Sequence, residues 1–379
     1  MRIAGIGRYE EKYGEGRFEA IDALRGIGAL AVALMHVYYM LGVSQDAPFL
    51  NVIMQHLGAG VQLFFIVSAF TLCLTYEHKA ENRVVSYFLI KRYFRIAPLF
   101  YLCVITTYVV LKIKGIEVYQ YTPVSIFTNA AFVFNLIPSV DVALSLTGAG
   151  WTIGVEFLFY FLFPAFVLFL RRPMWLGITF GVSLIVAIGI RANTNDPYLQ
   201  YYCFLGHLPT FLSGILLYRV WKALPAATDY ARNVFATASG MIFFVVSFVI
   251  ICAPAPAWSM HLCWSGAFLF LTLSVLLRRN RLIANSASVY LGRISYSLYL
   301  LHPIVIWIVA SWFGRQLISP TVRTLIVYIS VFAILLPWAA ISHRFLEAPS
   351  NSIARRLIAR LSSREGTRDA RKAVVSTSL

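Results

Sequence analysis

Glu156 is the first residue to demand a chemical explanation. It lies in WTIGVEFLFYFLFP, an apolar stretch in which an ionisable carboxyl costs a few kcal/mol unless it is partnered or neutral. Such a group either fixes packing through a hydrogen bond or orients and charges a neighbouring base. His36, in IDALRGIGALAVALMHVYYM, is the second case, a satisfied core imidazole or a general base. Arg25 stands eleven residues before it. At about 100° per residue the two fall within about 20° of one helix face, about 16 Å apart along the axis. That face carries a cation at one membrane edge and an imidazole well inside. Asp22 sits one turn from Arg25, where the two can pair. Arg92 and Arg95 in KRYFRIAP are three apart and share a face. Guanidinium forks suit phosphate oxygens, although membrane topology alone also places arginines at such ends. In ISYSLYLLHPIVIW, His302 precedes Pro303, and Tyr296 and Tyr299 bring hydroxyls to the same region. The proline frees a backbone carbonyl and bends the helix, which suits a cavity wall.

The elements that must position these groups are apolar. The chain has 379 residues, 59% hydrophobic and 13% charged, with a mean hydropathy of +0.74. Soluble domains are about 25% charged. A water-soluble globular enzyme, a disordered chain and a disulfide-stapled secreted domain are therefore excluded. The five cysteines form no C-x-x-C and lie mostly within apolar runs, as small core hydrophobes. No P-loop, G-x-G-x-x-G, H-E-x-x-H or zinc spacing occurs, so no metal is expected. Apolar runs cover 21–43, 57–76, 96–111, 151–170, 174–190, 203–218, 234–252, 260–277, 294–313 and 324–342. The predicted fold is an all-α polytopic membrane bundle of about ten transmembrane helices. A further run, 124–138, carries Asn129, Asn135 and Pro138. It is short for a span and reads as a re-entrant or interfacial helix.

The net charge of +16 follows the membrane and does not call for nucleic acid. With ten spans and both termini cytoplasmic, 27 basic residues fall inside and five outside, namely Lys112, Lys114, Arg191, Arg315 and Arg323. The positive-inside rule expects that asymmetry. Residues 1–19 read as a cytoplasmic lead-in without the apolar core of a signal peptide. Residues 20–345 form the membrane domain. Residues 346–379 form a basic, fraying cytoplasmic tail with a short amphipathic helix at Ile353–Leu361 on the inner leaflet. In this orientation His36 and Glu156 lie roughly 8–10 Å below the outer surface. They meet if their helices pack together, the carboxylate then holding the imidazole tautomer as in hydrolytic triads.

Taken together, these segments resemble the acyltransferase-3 family, membrane enzymes that move acyl groups from coenzyme A to hydroxyls of glycans and other acceptors. IDALRGIGALAVALMH is similar to the family's first helix, with its Arg-to-His spacing met by Arg25 and His36. GAGVQLFFIVSAF, KRYFRIAP, WTIGVEFLFYFLFP, GHLPTFLSGILLY, ISYSLYLLHP and HRFLEAP resemble six further segments in order. Gln62 stands where many members carry an acid, and Ala69 where many carry glycine; the first bears on acceptor contacts, the second on close packing. The resemblance implies acetyl-CoA as donor substrate, with its phosphates held by Arg25, Arg92 and Arg95 at the inner face. It implies His36 as general base or transient acyl carrier, oriented or charged by Glu156. Trp151 and Tyr160 flank Glu156 and would stack on a sugar ring; Tyr299 and His302 would contact substrate. The acceptor is expected to be a cell-surface glycan or a related hydroxyl compound, and the location the bacterial cytoplasmic membrane among its lipids. The extra esterase-like domain of some relatives is not expected. The rival reading is a secondary transporter or flippase, against which stand the lack of paired Gly/Pro-broken halves and the single deep acid.

Overall fold

A computed structural model describes residues 17–76, 84–117, 120–169, 172–224, 229–253, 257–278, 280–310, 312 and 319–377. Among the described residues there is no strand. The principal helices are α1 (Arg17–Met40), α2 (Gly60–Tyr76), α3 (Val84–Ile113), α4 (Pro123–Ala130), α5 (Trp151–Phe169) and α6 (Pro173–Ala192). They continue with α7 (Phe204–Ala223), α8 (Asp229–Cys252), α9 (Ala257–Leu277), α10 (Ser286–Arg293), α11 (Ser295–Ala310), α12 (Pro320–Ser342) and α13 (Ala348–Thr377).

Eight helical stretches among the described residues are long and apolar enough to cross a membrane. The bent pair α10–α11 adds a ninth, broken by 73° at Ile294. The apolar part of α5, Trp151–Val167, is at the short end of spanning length. With these two, each of the ten apolar runs corresponds to a helix or a bent helix pair among the described residues. The run 124–138 does not form one helix. It breaks into α4 and a 3-10 turn at Phe134–Leu136, with Phe132 in the left-handed region at φ 58°. Val124, Ile126 and Phe127 of α4 face outward, as an interfacial helix requires.

α2 and α11 are almost wholly buried, whereas α6, α8 and α12 expose apolar faces. In a membrane protein, the exposed apolar face is the one that meets lipid. α1 packs on α2, α10 and α11, while α5 packs on α2, α3 and α7. Small residues permit the tightest crossings. A Cβ on Gly26 would lie 2.5 Å from the Ser288 carbonyl, and one on Gly292 would overlap the Asp22 carbonyl. Gly214 plays the same part for α2, because its Cβ would lie 2.7 Å from Ala69 Cβ. The close approach expected of a glycine at 69 is thus supplied from the opposite helix.

Two boundaries differ from expectation. α3 begins at Val84, twelve residues before its apolar run, so Arg92 and Arg95 lie within the helix rather than at its end. The segment after Pro349 is helical through Thr377. A π turn at His343–Glu347 joins α12 to α13, whose Ala354 is buried. Pro98 explains how α13 is held. A proline inside a helix leaves the carbonyl four residues earlier unbonded, here that of Phe94, and Ser350 Oγ donates to it at 2.5 Å.

Candidate active site

A partly open cavity lies between α1, α2, α5 and α11. Arg25, Ser68, Thr152, Glu156, Tyr296 and Tyr299 supply its polar wall. Glu156 is held from two sides, by Ser68 Oγ donating at 2.5 Å and by the Tyr160 hydroxyl. Ser68 and Tyr160 are themselves 3.1 Å apart. The guanidinium of Arg92 lies over the Tyr160 and Phe88 rings, 5.2 and 5.5 Å from their centroids. Arg25 and Arg92 are within electrostatic reach of Glu156, and Arg95 is within reach of Asp22 and Arg25. Three cations therefore converge on two carboxylates, an arrangement with positive charge to spare for an anion.

The structure does not bring His36 and Glu156 together. Glu156 lies at the level of Arg25, which is about 16 Å along α1 from His36; α1 and α5 each pack on α2, whose Ser68 takes the carboxylate. The partner of His36 is His302. The nitrogens His302 Nε2 and His36 Nδ1 are 3.1 Å apart, and the ring centroids 4.8 Å. His302 is fully buried, and its Nδ1 bonds the Tyr299 carbonyl. His36 lies outside the cavity lining, beyond Tyr299, whose ring is 5.5 Å from that of His302. The Tyr299 hydroxyl is engaged, donating to the Ala149 carbonyl at 3.1 Å and accepting from Thr152 at 2.9 Å.

Tyr160 and Trp151 do not form one aromatic platform. Nine residues apart on a helix, they point in different directions from Glu156: Tyr160 faces Arg92, and Trp151 faces Tyr202 and His207, with centroids 5.6 and 5.4 Å away. Around His207 lies a cluster that the charge map overlooks. Arg191, counted in an outer loop, is buried at the end of α6. Its Nε donates to the Gln200 carbonyl at 3.1 Å, and its Nη2 faces His207 Nδ1 at 3.5 Å. Gln62 is buried beside it, its Nε2 2.7 Å from His261 Nδ1. Ser68 is the other omission. Its only signal is its place as the serine of the FF-x-x-S pattern at Phe64–Ser68.

The model of an acyltransferase domain family matches residues 18–343. The O-acetyltransferase OatA of Staphylococcus aureus (strain NCTC 8325 / PS 47) is 24% identical over 383 residues, covering 92% of this chain and 60% of that protein. The peptidoglycan O-acetyltransferase OatA of Listeria monocytogenes is also 24% identical, over 90% of this chain and 56% of its own length. A putative O-acetyltransferase of Staphylococcus aureus (strain COL) is 25% identical over 52% of this chain and 35% of that protein. The chain thus spans about 60% of the length of the curated relatives it matches most fully. No solved structure matches it significantly. A family match over most of the chain, on a polytopic helical bundle, places it in the acyltransferase-3 family of integral membrane proteins.

Proposed function

We propose that the chain is a membrane O-acyltransferase that moves an acetyl group from acetyl-coenzyme A to a hydroxyl of a cell-envelope glycan. The observation that carries this reading is the polar seam of α1. Arg25 lines the cavity amid two further arginines, and His36 stands about 16 Å along the same helix, with no partner for its Nε2 among the described residues. The donor is made in the cytosol, so the arginine side is the cytosolic face, and its excess of cations takes the phosphates. The pantetheine arm then runs along α1, past Ser68 and Tyr299, toward His36. There His36 Nε2 takes the proton of the acceptor hydroxyl as its oxygen attacks the thioester carbon. The C–S bond breaks, and the departing thiolate takes the proton back from the imidazolium. Glu156 acts as counter-ion to Arg25 and Arg92, held by Ser68 and Tyr160. The relatives' names supply acetyl as the group and peptidoglycan as one acceptor of this class.

The test is label transfer. Purified protein in lipid nanodiscs is incubated with labelled acetyl-CoA and peptidoglycan fragments or another envelope glycan. Label is expected in the glycan with wild type and at background with His36→Ala at equal protein level. Transfer by His36→Ala at the wild-type rate would remove His36 from the reaction. Movement of unmodified glycan across the bilayer without acetylation would replace the enzyme by a transporter.

A further inference from the structure

A base must present a lone pair, and an imidazole can present it from either of two nitrogens. The choice at His36 is made elsewhere in the fold. In an uninterrupted helix the Tyr299 carbonyl would accept from the N–H of residue 303. Residue 303 is proline and has none, so that carbonyl is left open inside α11. His302 Nδ1 fills the vacancy. A carbonyl only accepts, so this nitrogen carries the hydrogen, and the neutral ring must hold its lone pair on Nε2. That Nε2 is 3.1 Å from His36 Nδ1, which must therefore be an N–H. A second contact requires the same assignment independently, because His36 Nδ1 is also 3.0 Å from the Val32 carbonyl. With Nδ1 protonated, the lone pair of His36 is on Nε2, the nitrogen without a partner among the described residues.

We propose that Pro303, the Tyr299 carbonyl and His302 form a relay that fixes the His36 tautomer with Nε2 as the basic nitrogen. His302 is then a positioning residue rather than a substrate contact. It takes over the part expected of Glu156. When Nε2 accepts the hydroxyl proton, the Nδ1–H of the resulting imidazolium stays bonded to His302 Nε2. This inference rests on the reading of His36 as the base, but its first test does not need activity. The seven histidines are labelled with ¹⁵N in the full-length protein in nanodiscs, and His36 and His302 are assigned through His36→Gln and His302→Gln. Imidazole ¹⁵N shifts are expected to show both rings protonated on Nδ1 and bare on Nε2. A His36 ring protonated on Nε2 overturns the relay even if His36→Ala is inactive.

Three variants then link tautomer to rate. His302→Leu removes the acceptor, and kcat should fall about 10–100-fold with the donor KM unchanged. His302→Gln keeps an oxygen near the former Nε2 and should recover most of that loss. Pro303→Ala returns a backbone N–H to compete for the Tyr299 carbonyl, so His302 should show mixed tautomers and kcat should fall. Equal rates for His302→Leu and His302→Gln, or unaltered shifts in Pro303→Ala, would refute the relay.

Discussion

Glu156→Gln separates the two roles open to this carboxylate. Glu156 accepts from Ser68 and Tyr160 and sits among Arg25 and Arg92, with His36 bonded elsewhere. As counter-ion, Glu156 repels the donor phosphates. At about 8 Å and an effective dielectric constant of about 20, that repulsion is about 2 kcal/mol. Screening in an open cavity reduces it to about 1 kcal/mol, or about fivefold in donor affinity. The substitution should therefore lower the donor KM about fivefold while kcat falls less than about tenfold. It also exchanges two charge-assisted hydrogen bonds for neutral ones and leaves two arginines less compensated. A stability loss of about 2–4 kcal/mol is expected, read as a lower Tm in detergent. Initial rates across a donor titration, normalised to monodisperse protein, measure both kinetic quantities. If Glu156 oriented His36, removing its charge would instead cost about 10⁴ in kcat, as the corresponding change does in a serine protease. A folded Glu156→Gln protein that loses three orders of magnitude in kcat with an unchanged donor KM would refute the counter-ion role.

Other substitutions test neighbouring parts of the argument. Arg25→Ala removes a charge-assisted phosphate contact and should raise the donor half-saturation concentration about 10–100-fold with a much smaller change in kcat; an unshifted titration would leave Arg25 a topological residue only. Gly292→Ala drives a methyl into the Asp22 carbonyl where α1 crosses α10, so thermal stability should drop by about 1–3 kcal/mol or more, and a wild-type Tm would contradict that crossing. Arg323 and Asp46 form an ion pair of 2.8 Å, with Arg323 also bonding the Leu41 carbonyl. A double-mutant cycle should give a coupling of about 1–2 kcal/mol in stability and no change in donor KM; zero coupling would show the pair to be incidental.

Much of this site was legible because membranes restrict sequence so severely. A carboxyl, an imidazole or a guanidinium in an apolar run stands out at once, and the 3.6-residue period puts Arg25 and His36 on one face without any knowledge of neighbours. Ser68 did not stand out, because a hydroxyl bonded to its own helix is common at such positions and carries no charge. The burial of Arg191 was not legible because the inside–outside count tallies basic residues by side of the membrane, whatever their depth. The length of α3 before its apolar run, and of α13 after Pro349, was illegible for another reason: polar helices that pack on protein leave no hydropathy signal.

The amino-acid sequence alone determined the helical membrane class and the single face joining Arg25 to His36, because these follow from local periodicity and the cost of burying charge. Which helices touch is not a local property. Only tertiary packing decided that α1 and α5 each pack on α2 and share a cavity beside it, so that Glu156 meets Ser68 and Tyr160 while His36 meets His302. Depth along a helix can be counted from one segment, but a hydrogen bond needs two segments at the same azimuth, and azimuth is set by side chains and glycines hundreds of residues away.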